Sequence, residues 1–317
     1  MIKIGLDTDG GDFAPDANIQ AALGLSDEIK SGNLQIVLFG NQQNSHDLIE
    51  REGGNPSLFT FVDCGDPIGM GENPVKSFVS KKNSSIVKGF LALVKGEIDS
   101  FCSTGNTGAM LVGAMQIVKT IPGIIRPCIS SVLPQADGSY SIILDVGANA
   151  DCKPDVLYQF AILGSIYSKS VHKVERPRVA LLNIGEEDEK GNLLTKAAFN
   201  QLKECRNIHF TGNIEGSDLF SSAADVIVTD GFTGNVVLKQ AEAFHTLTTQ
   251  RNIEDPFFDR FNYEEYGGTP ILGVNSNVLI GHGKSSAAAV KKMLKLAAQV
   301  SKVNLPSKIS EVFNNYE

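Results

Sequence analysis

Most short β-branched and aliphatic runs in this chain are apolar on both faces rather than alternating. They lie at 2–7, 34–40, 59–63, 141–147, 178–185, 208–213 and 225–231. A strand with one wet face alternates apolar and polar side chains, so runs without alternation belong to a sheet covered on both sides. Helical patterns fill the gaps at 83–95, 107–119, 154–168 and 193–204. Strand–helix alternation predicts βαβ units and a mostly parallel sheet in a three-layer α/β/α arrangement. A last helix, 285–302, opens on a capping serine and carries an alanine-rich stripe with lysines opposite. No repeat or composition break divides the 317 residues, which are read as one catalytic unit, 1–317, with two intertwined α/β lobes as the other arrangement.

The net charge of −8 argues against a nucleic-acid surface, which needs a basic face. Cys64, Cys102, Cys128, Cys152 and Cys205 are odd in number and show no CxxC spacing. Neither a disulfide framework nor a zinc site is expected, and a reducing cytoplasm fits. The start, MIKIGLDTDGGD, lacks the charged and apolar regions of a signal peptide. The apolar stretch 109–118 is too short to span a bilayer.

Ligands of doubly covered sheets bind outside the carboxyl ends of the strands. Here those ends carry Asp7, Asp63, Asp145, Asn183 to Gly185, Thr211 to Asn213, and Asp230 with Gly231. The loop Ser103-Thr104-Gly105-Asn106-Thr107-Gly108 runs into a helix, whose free N–H groups suit an anion; an ordinary capped helix start is the other reading. Asp230-Gly231-Phe232-Thr233-Gly234-Asn235 makes a second such turn. Asn235 there either caps the helix or donates to a developing oxyanion. The loop 183–192 holds four consecutive acids before Lys190 and reads as a solvated acidic loop or as one presenting Lys190 to phosphate. Lys82, before the helix start at Asn83-Ser84-Ser85, is either a solvated edge or a sign of a nearby anion. The loop from Asp145 to Pro154 lacks calcium-loop spacing and reads as a site wall with Lys153 in reach. Gly10-Gly11-Asp12 is an incomplete dinucleotide signal. The histidines are scattered, no GxSxG elbow is present, and His282 between two glycines reads as structural.

Taken in order, several motifs resemble the PlsX-type phosphate acyltransferases of bacterial phospholipid synthesis. They are Asp7 with Gly10-Gly11-Asp12 and Pro15; Lys82-Asn83-Ser84-Ser85; Gly105-Asn106-Thr107-Gly108-Ala109; Arg126-Pro127; Leu144 to Asn149; Leu182 to Gly185 through Lys190-Gly191-Asn192; Thr229 to Asn235; and Tyr266-Gly267-Gly268. The resemblance implies a fold like that of isocitrate dehydrogenases and phosphotransacetylases, a homodimer, and no cofactor or metal. It implies transfer of an acyl group from acyl carrier protein to inorganic phosphate, the product feeding a glycerol-3-phosphate acyltransferase on the way to lysophosphatidic acid. On this basis Gly105 to Gly108 with Ser103, Asn106 and Thr107 are expected to bind phosphate. Lys190 is expected to neutralise charge and Asn235 to polarise the thioester carbonyl, with Lys82, Asp230, Gly231 and Thr233 as further substrate contacts.

Two departures stand out. Many relatives carry Met and His around the first glycine pair, where this chain has Asp9 and Phe13, so no histidine acts there. The excursion 236–266 is short, acidic and broken by Pro256, which disfavours an anionic bilayer. Its phenylalanines are read as packing in the dimer or meeting acyl chains. A cytoplasmic protein, at most peripheral at the membrane, is expected. Two other functions stay open: a phosphotransacetylase-like enzyme using acyl-coenzyme A, and a non-catalytic phosphate-binding regulator.

Overall fold

A computed structural model describes residues 1–314. Its strands in chain order are β1 (Ile2–Asp7), β2 (Leu34–Gly40), β3 (Thr60–Asp63), β4 (Ser100–Ser103), β5 (Cys128–Pro134), β6 (Tyr140–Leu144), β7 (Arg178–Leu182), β8 (His209–Ile214), β9 (Val226–Val228), β10 (Thr269–Leu272) and β11 (Asn277–Ile280). The chain forms two compact units. The first takes Met1–Thr120 and Tyr263–Pro306, and the second takes Ile121–Asn262 and the described residues that follow Pro306.

In the first unit the strand order is β3-β2-β1-β4-β11-β10. All neighbours are parallel except β10, which runs antiparallel to β11. Strands β1, β2 and β4 are buried along nearly their whole length, as their unbroken apolar runs require. The helices Ser85–Val94 and Ala287–Lys302 both pack on β1 and β4. Phe39, Phe101, Phe90 and Phe78 form a chain of edge-to-face rings through this core. Each such buried side chain contributes about 1.5–3 kcal/mol.

In the second unit the order is β5-β6-β9-β7-β8, parallel except for β5 against β6. The helix Pro154–Tyr167 covers β6, β7 and β9, and Leu193–Glu204 packs beside it. Gly164 lets that helix approach closely, because a Cβ there would stand 2.5 Å from Val226. The helix Gly231–Gln250 extends for 20 residues and takes in about half of the 236–266 excursion. Its phenylalanines pack on one another and on Phe220: Phe261 meets Phe220, Phe244, Phe257 and Phe258 at ring distances of 5.1–6.1 Å. Arg260 ties this cluster down by donating to the Gln135, Gly138 and Ser139 carbonyls.

Several boundaries differ from the sequence expectation. The segment 107–119 is α-helical over Thr107–Gly113 and then widens to a π-helix, Ala114–Val118. The last long helix is capped by Ser286 rather than Ser285, through an N–H bond from Ala289. Residues 211–213 are not a turn at a strand end. They lie inside β8, where the register shifts opposite Val179 and Ala180 and Gly212 takes a φ of +107°. No helix among the described residues is long and apolar enough to cross a membrane.

Candidate active site: buried carboxylates behind two glycine turns

Strands β1 and β4 are neighbours, so their last residues, Asp7 and Ser103, emerge side by side. The Ser103 hydroxyl donates to Asp7 Oδ2 at 2.6 Å and accepts the Gly105 N–H at 2.9 Å. Asp7 also accepts from the Asp9 N–H, the Ser85 side chain and the Gly10 backbone. Burial pushes its carboxyl above the ordinary range while these donors pull it back. Behind it, Thr104 and Asn18 both donate to the Gly10 carbonyl, at 2.8 and 2.9 Å. Gly10 and Gly105 touch backbone to backbone: a Cβ on Gly10 would stand 2.8 Å from Gly105 Cα. Only glycine fits at that approach.

The loop then enters the helix Thr107–Gly113, whose first N–H groups have no carbonyl one turn back within the helix. Thr107 is exposed and Gly108 half-buried, so both N–H groups stand near solvent. The Asn106 side chain is spent on bracing the loop. Its Oδ1 caps the helix at the Ala109 N–H, and its amide nitrogen donates to the Gly69, Met70 and Glu72 carbonyls. Only its backbone remains for an anion. Lys82 is exposed, whereas its neighbour Lys81 is paired with Glu72.

Asp9 lies beside this group, half-buried against Gly40. Burial first, and then the Asp7 charge, push it up to about 6. His282 accepts the Lys284 N–H and stacks on Tyr263 at 4.5 Å, a structural placement.

The second unit repeats the device. Asp145, at the end of β6, accepts from the N–H groups of Ile129, Ala148 and Asn149 and from the Asn149 amide. Burial raises its pKa against those bonds. Asn149 also donates to the Pro127 carbonyl and accepts the Gly231 N–H, linking the 145–149 turn to the 230–235 turn. Gly231 and Gly234 both press on the Asp145 turn, where a Cβ on Gly231 would lie 2.6 Å from Asp145 Oδ2. Asp230 is the helix cap: it accepts from the Thr233 N–H at 2.8 Å and the Thr233 hydroxyl at 2.9 Å. Asn235 therefore does not cap. It is exposed, and its Oδ1 lies 3.5 Å from the place of a Cβ on Gly147.

Lys190 sits on a braced loop. Asn183, just past β7, donates to the Lys190 carbonyl and to Asn213, which in turn donates to the Glu187 carbonyl. The Lys190 ammonium is half-exposed, 3.9 Å from Glu187. Asn18, Ser85, Asn149, Asn183 and Asn213 also brace the turns. Asn149, Asn183 and Asn213 lie within or just past the unusually polar strand ends and turns, and Ser85 closes the Lys82-Asn83-Ser84-Ser85 motif; Asn18 gives no signal beyond being a small polar residue near a helix start.

The model of the family described as "Fatty acid synthesis protein" matches residues 2–308. The phosphate acyltransferase of Salinibacter ruber is 39% identical over 99% of this chain and 98% of its own. That of Dictyoglomus thermophilum is 40% identical over 98% of this chain and 97% of its own. Among solved structures, a phosphotransacetylase from Streptococcus pyogenes superposes with a TM-score of 0.66 at 17% identity, covering 95% of this chain and 94% of its own. A branched-chain phosphotransacylase from Enterococcus faecalis V583 gives 0.60 at 15%, covering 95% and 100%. These two show the fold, the phosphotransacetylase-like α/β architecture expected from the sequence. The full-length matches near 40% identity show more than fold: the chain belongs to the fatty acid synthesis protein family, the family of the phosphate acyltransferases.

Proposed function

We propose that the chain transfers an acyl group from the thioester of acyl carrier protein to inorganic phosphate, releasing acyl phosphate and the free carrier thiol. Family membership supplies the reaction class. The observation that carries it to atoms is Asn235, an exposed amide near the start of a helix whose cap is already supplied by Asp230.

Phosphate near neutral pH is partly a dianion and attacks a thioester carbonyl without a strong base. The new C–O bond forms, the C–S bond breaks, and the thiolate leaves without needing an acid. What the protein contributes is position and charge. In this reading the backbone of Gly105 to Gly108 holds phosphate, Lys190 neutralises its charge, and Asn235 donates to the carbonyl oxygen as it becomes an oxyanion. Asp7 and Asp145 hold the two turns rigid. A covalent thiol route is disfavoured: burial pushes Cys64 up to about 12 and Cys152 to about 11, and raises Cys102 and Cys128 as well.

The reading extends to a homodimer of the cytoplasm, whose acyl phosphate supplies a downstream glycerol-3-phosphate acyltransferase making lysophosphatidic acid. The test mixes purified protein, palmitoyl-[acyl carrier protein] and phosphate, and traps acyl phosphate as hydroxamate. Phosphate-dependent hydroxamate supports the reading. Faster turnover of acyl-coenzyme A would replace it with the phosphotransacetylase-like one. Phosphate binding without product from any donor would make the protein a regulator.

A further inference from the structure

The helix Pro74–Ser80 turns Ser77 and Phe78 inward, Phe78 packing edge-on against Phe90. Its other side carries Val75 and Val79, one turn apart and 51% and 56% exposed, with Met70 just ahead at 42%. Isolated exposed valines need no explanation, but three large apolar side chains on one short, rigid segment do. The segment is held firmly. Asn106 donates to the carbonyls of residues 69, 70 and 72, Asn73 caps the helix at the Lys76 N–H, and Lys81 ties Glu72 to the Pro67 carbonyl.

Two exposed cations belong to the same stretch, Lys76 between Val75 and Val79 and Lys82 shortly after them. Among the described residues neither makes an ion pair; the acid in their midst, Glu72, is already taken by Lys81. In a chain of net charge −8 this is a local reversal of sign. The pad also adjoins the proposed phosphate loop, since the Pro74 ring stands 2.7 Å from the place of a Cβ on Gly108.

We propose that Met70, Val75 and Val79, with Lys76 and Lys82, form a docking pad for an acidic protein partner, the carrier that delivers the acyl thioester. Complementary charge steers such a partner to the pad, and the apolar side chains hold it. The pad fits other occupants less well. A second copy of this chain would set Lys76 and Lys82 against their own counterparts in a self-complementary contact. Bilayer binding scales with buried apolar area, and three side chains on and beside a seven-residue helix supply little of it. The inference rests on the function proposed above for the identity of the partner.

Lys76→Glu and Val75→Glu place a carboxylate in the first turn of the helix, where its dipole favours negative charge, so the fold should hold. Binding of unacylated carrier protein, read by fluorescence anisotropy, should weaken by about tenfold in each variant and fall with added salt in the wild type. Hydroxamate formation from a small acyl thioester should be unchanged. Unaltered carrier binding in both variants overturns the pad, as does an equal loss of turnover with the small thioester. Loss of sedimentation with phosphatidylglycerol vesicles, or of self-association, with carrier binding intact assigns the pad to a membrane or a second copy and overturns it too. Carrier binding that depends on the pad, in a protein that turns over no donor, would refute the proposed reaction and leave the docking intact.

Discussion

The Ser103 hydroxyl donates to the buried Asp7 carboxylate at 2.6 Å, and the same oxygen receives the Gly105 N–H. One side chain thus fixes both the charge behind the loop and the backbone within it. Ser103→Ala should cost about 1–3 kcal/mol of stability, the usual result of stranding a buried acceptor. It should also raise the KM for phosphate more than it lowers kcat. Urea unfolding and a phosphate titration check the two effects separately, and a variant normal in both would remove Asp7 from the account.

Asp9 is the departure with a pH signature. Its folded pKa, about 6, is above the ordinary aspartate value of 3.8, so folding favours the protonated form. Its contribution to stability is complete below the unfolded value and is lost as pH rises through about 6. At neutral pH the ionised group is a liability. Asp9→Asn should therefore stabilise the protein at pH 7 by about 1 kcal/mol, after discounting for partial exposure. The gain should vanish near pH 4. Thermal unfolding at both pH values is the measurement, and a gain that persists at pH 4 would mean the charge is not its source.

Asp230 and Asn235 share a helix start but not a task. Asp230→Ala removes a cap and should lower stability by about 1 kcal/mol. Asn235→Ala should leave the melting temperature in place and lower kcat by about 10²–10³, the scale of one lost oxyanion donor. A stability loss at Asn235 with unchanged kcat would reverse the assignment.

Asn183 never needs to touch substrate to matter. It donates to the Lys190 carbonyl and to Asn213, so Asn183→Ala should free the loop while leaving the ammonium in place. Turnover should fall toward that of Lys190→Ala, with the stability loss confined to about 1–2 kcal/mol. Lys190→Ala itself should leave stability nearly unchanged, because its exposed pair with Glu187 is worth little.

The long apolar strands were legible because burial on both faces erases alternation: β1 and β2 fall on the expected residues. Strands β4, β10 and β11, of four residues each, carry too little periodicity to announce themselves. Strand β5 hides for another reason, since Ser130 and Ser131 interrupt its apolar pattern. At the site, glycine turns mark themselves through composition. What an asparagine does there depends on which partners the fold brings near. Asn106, Asn149, Asn183 and Asn235 look alike in sequence, yet three are spent on bracing backbone and Asn235 is not.

The order of strands also sets a timetable for synthesis. Strand β4 has β11 as a neighbour, but about 175 residues separate Ser103 from Asn277. At about 5–20 residues per second a ribosome needs roughly 9–35 s to cover that distance. Throughout that interval one edge of β4 has no mate, while β5 through β10 are being made. A nascent chain stalled before residue 277 would present this open edge to other chains, so the stretch most exposed to aggregation is set by the return of the chain, not by its most apolar segment.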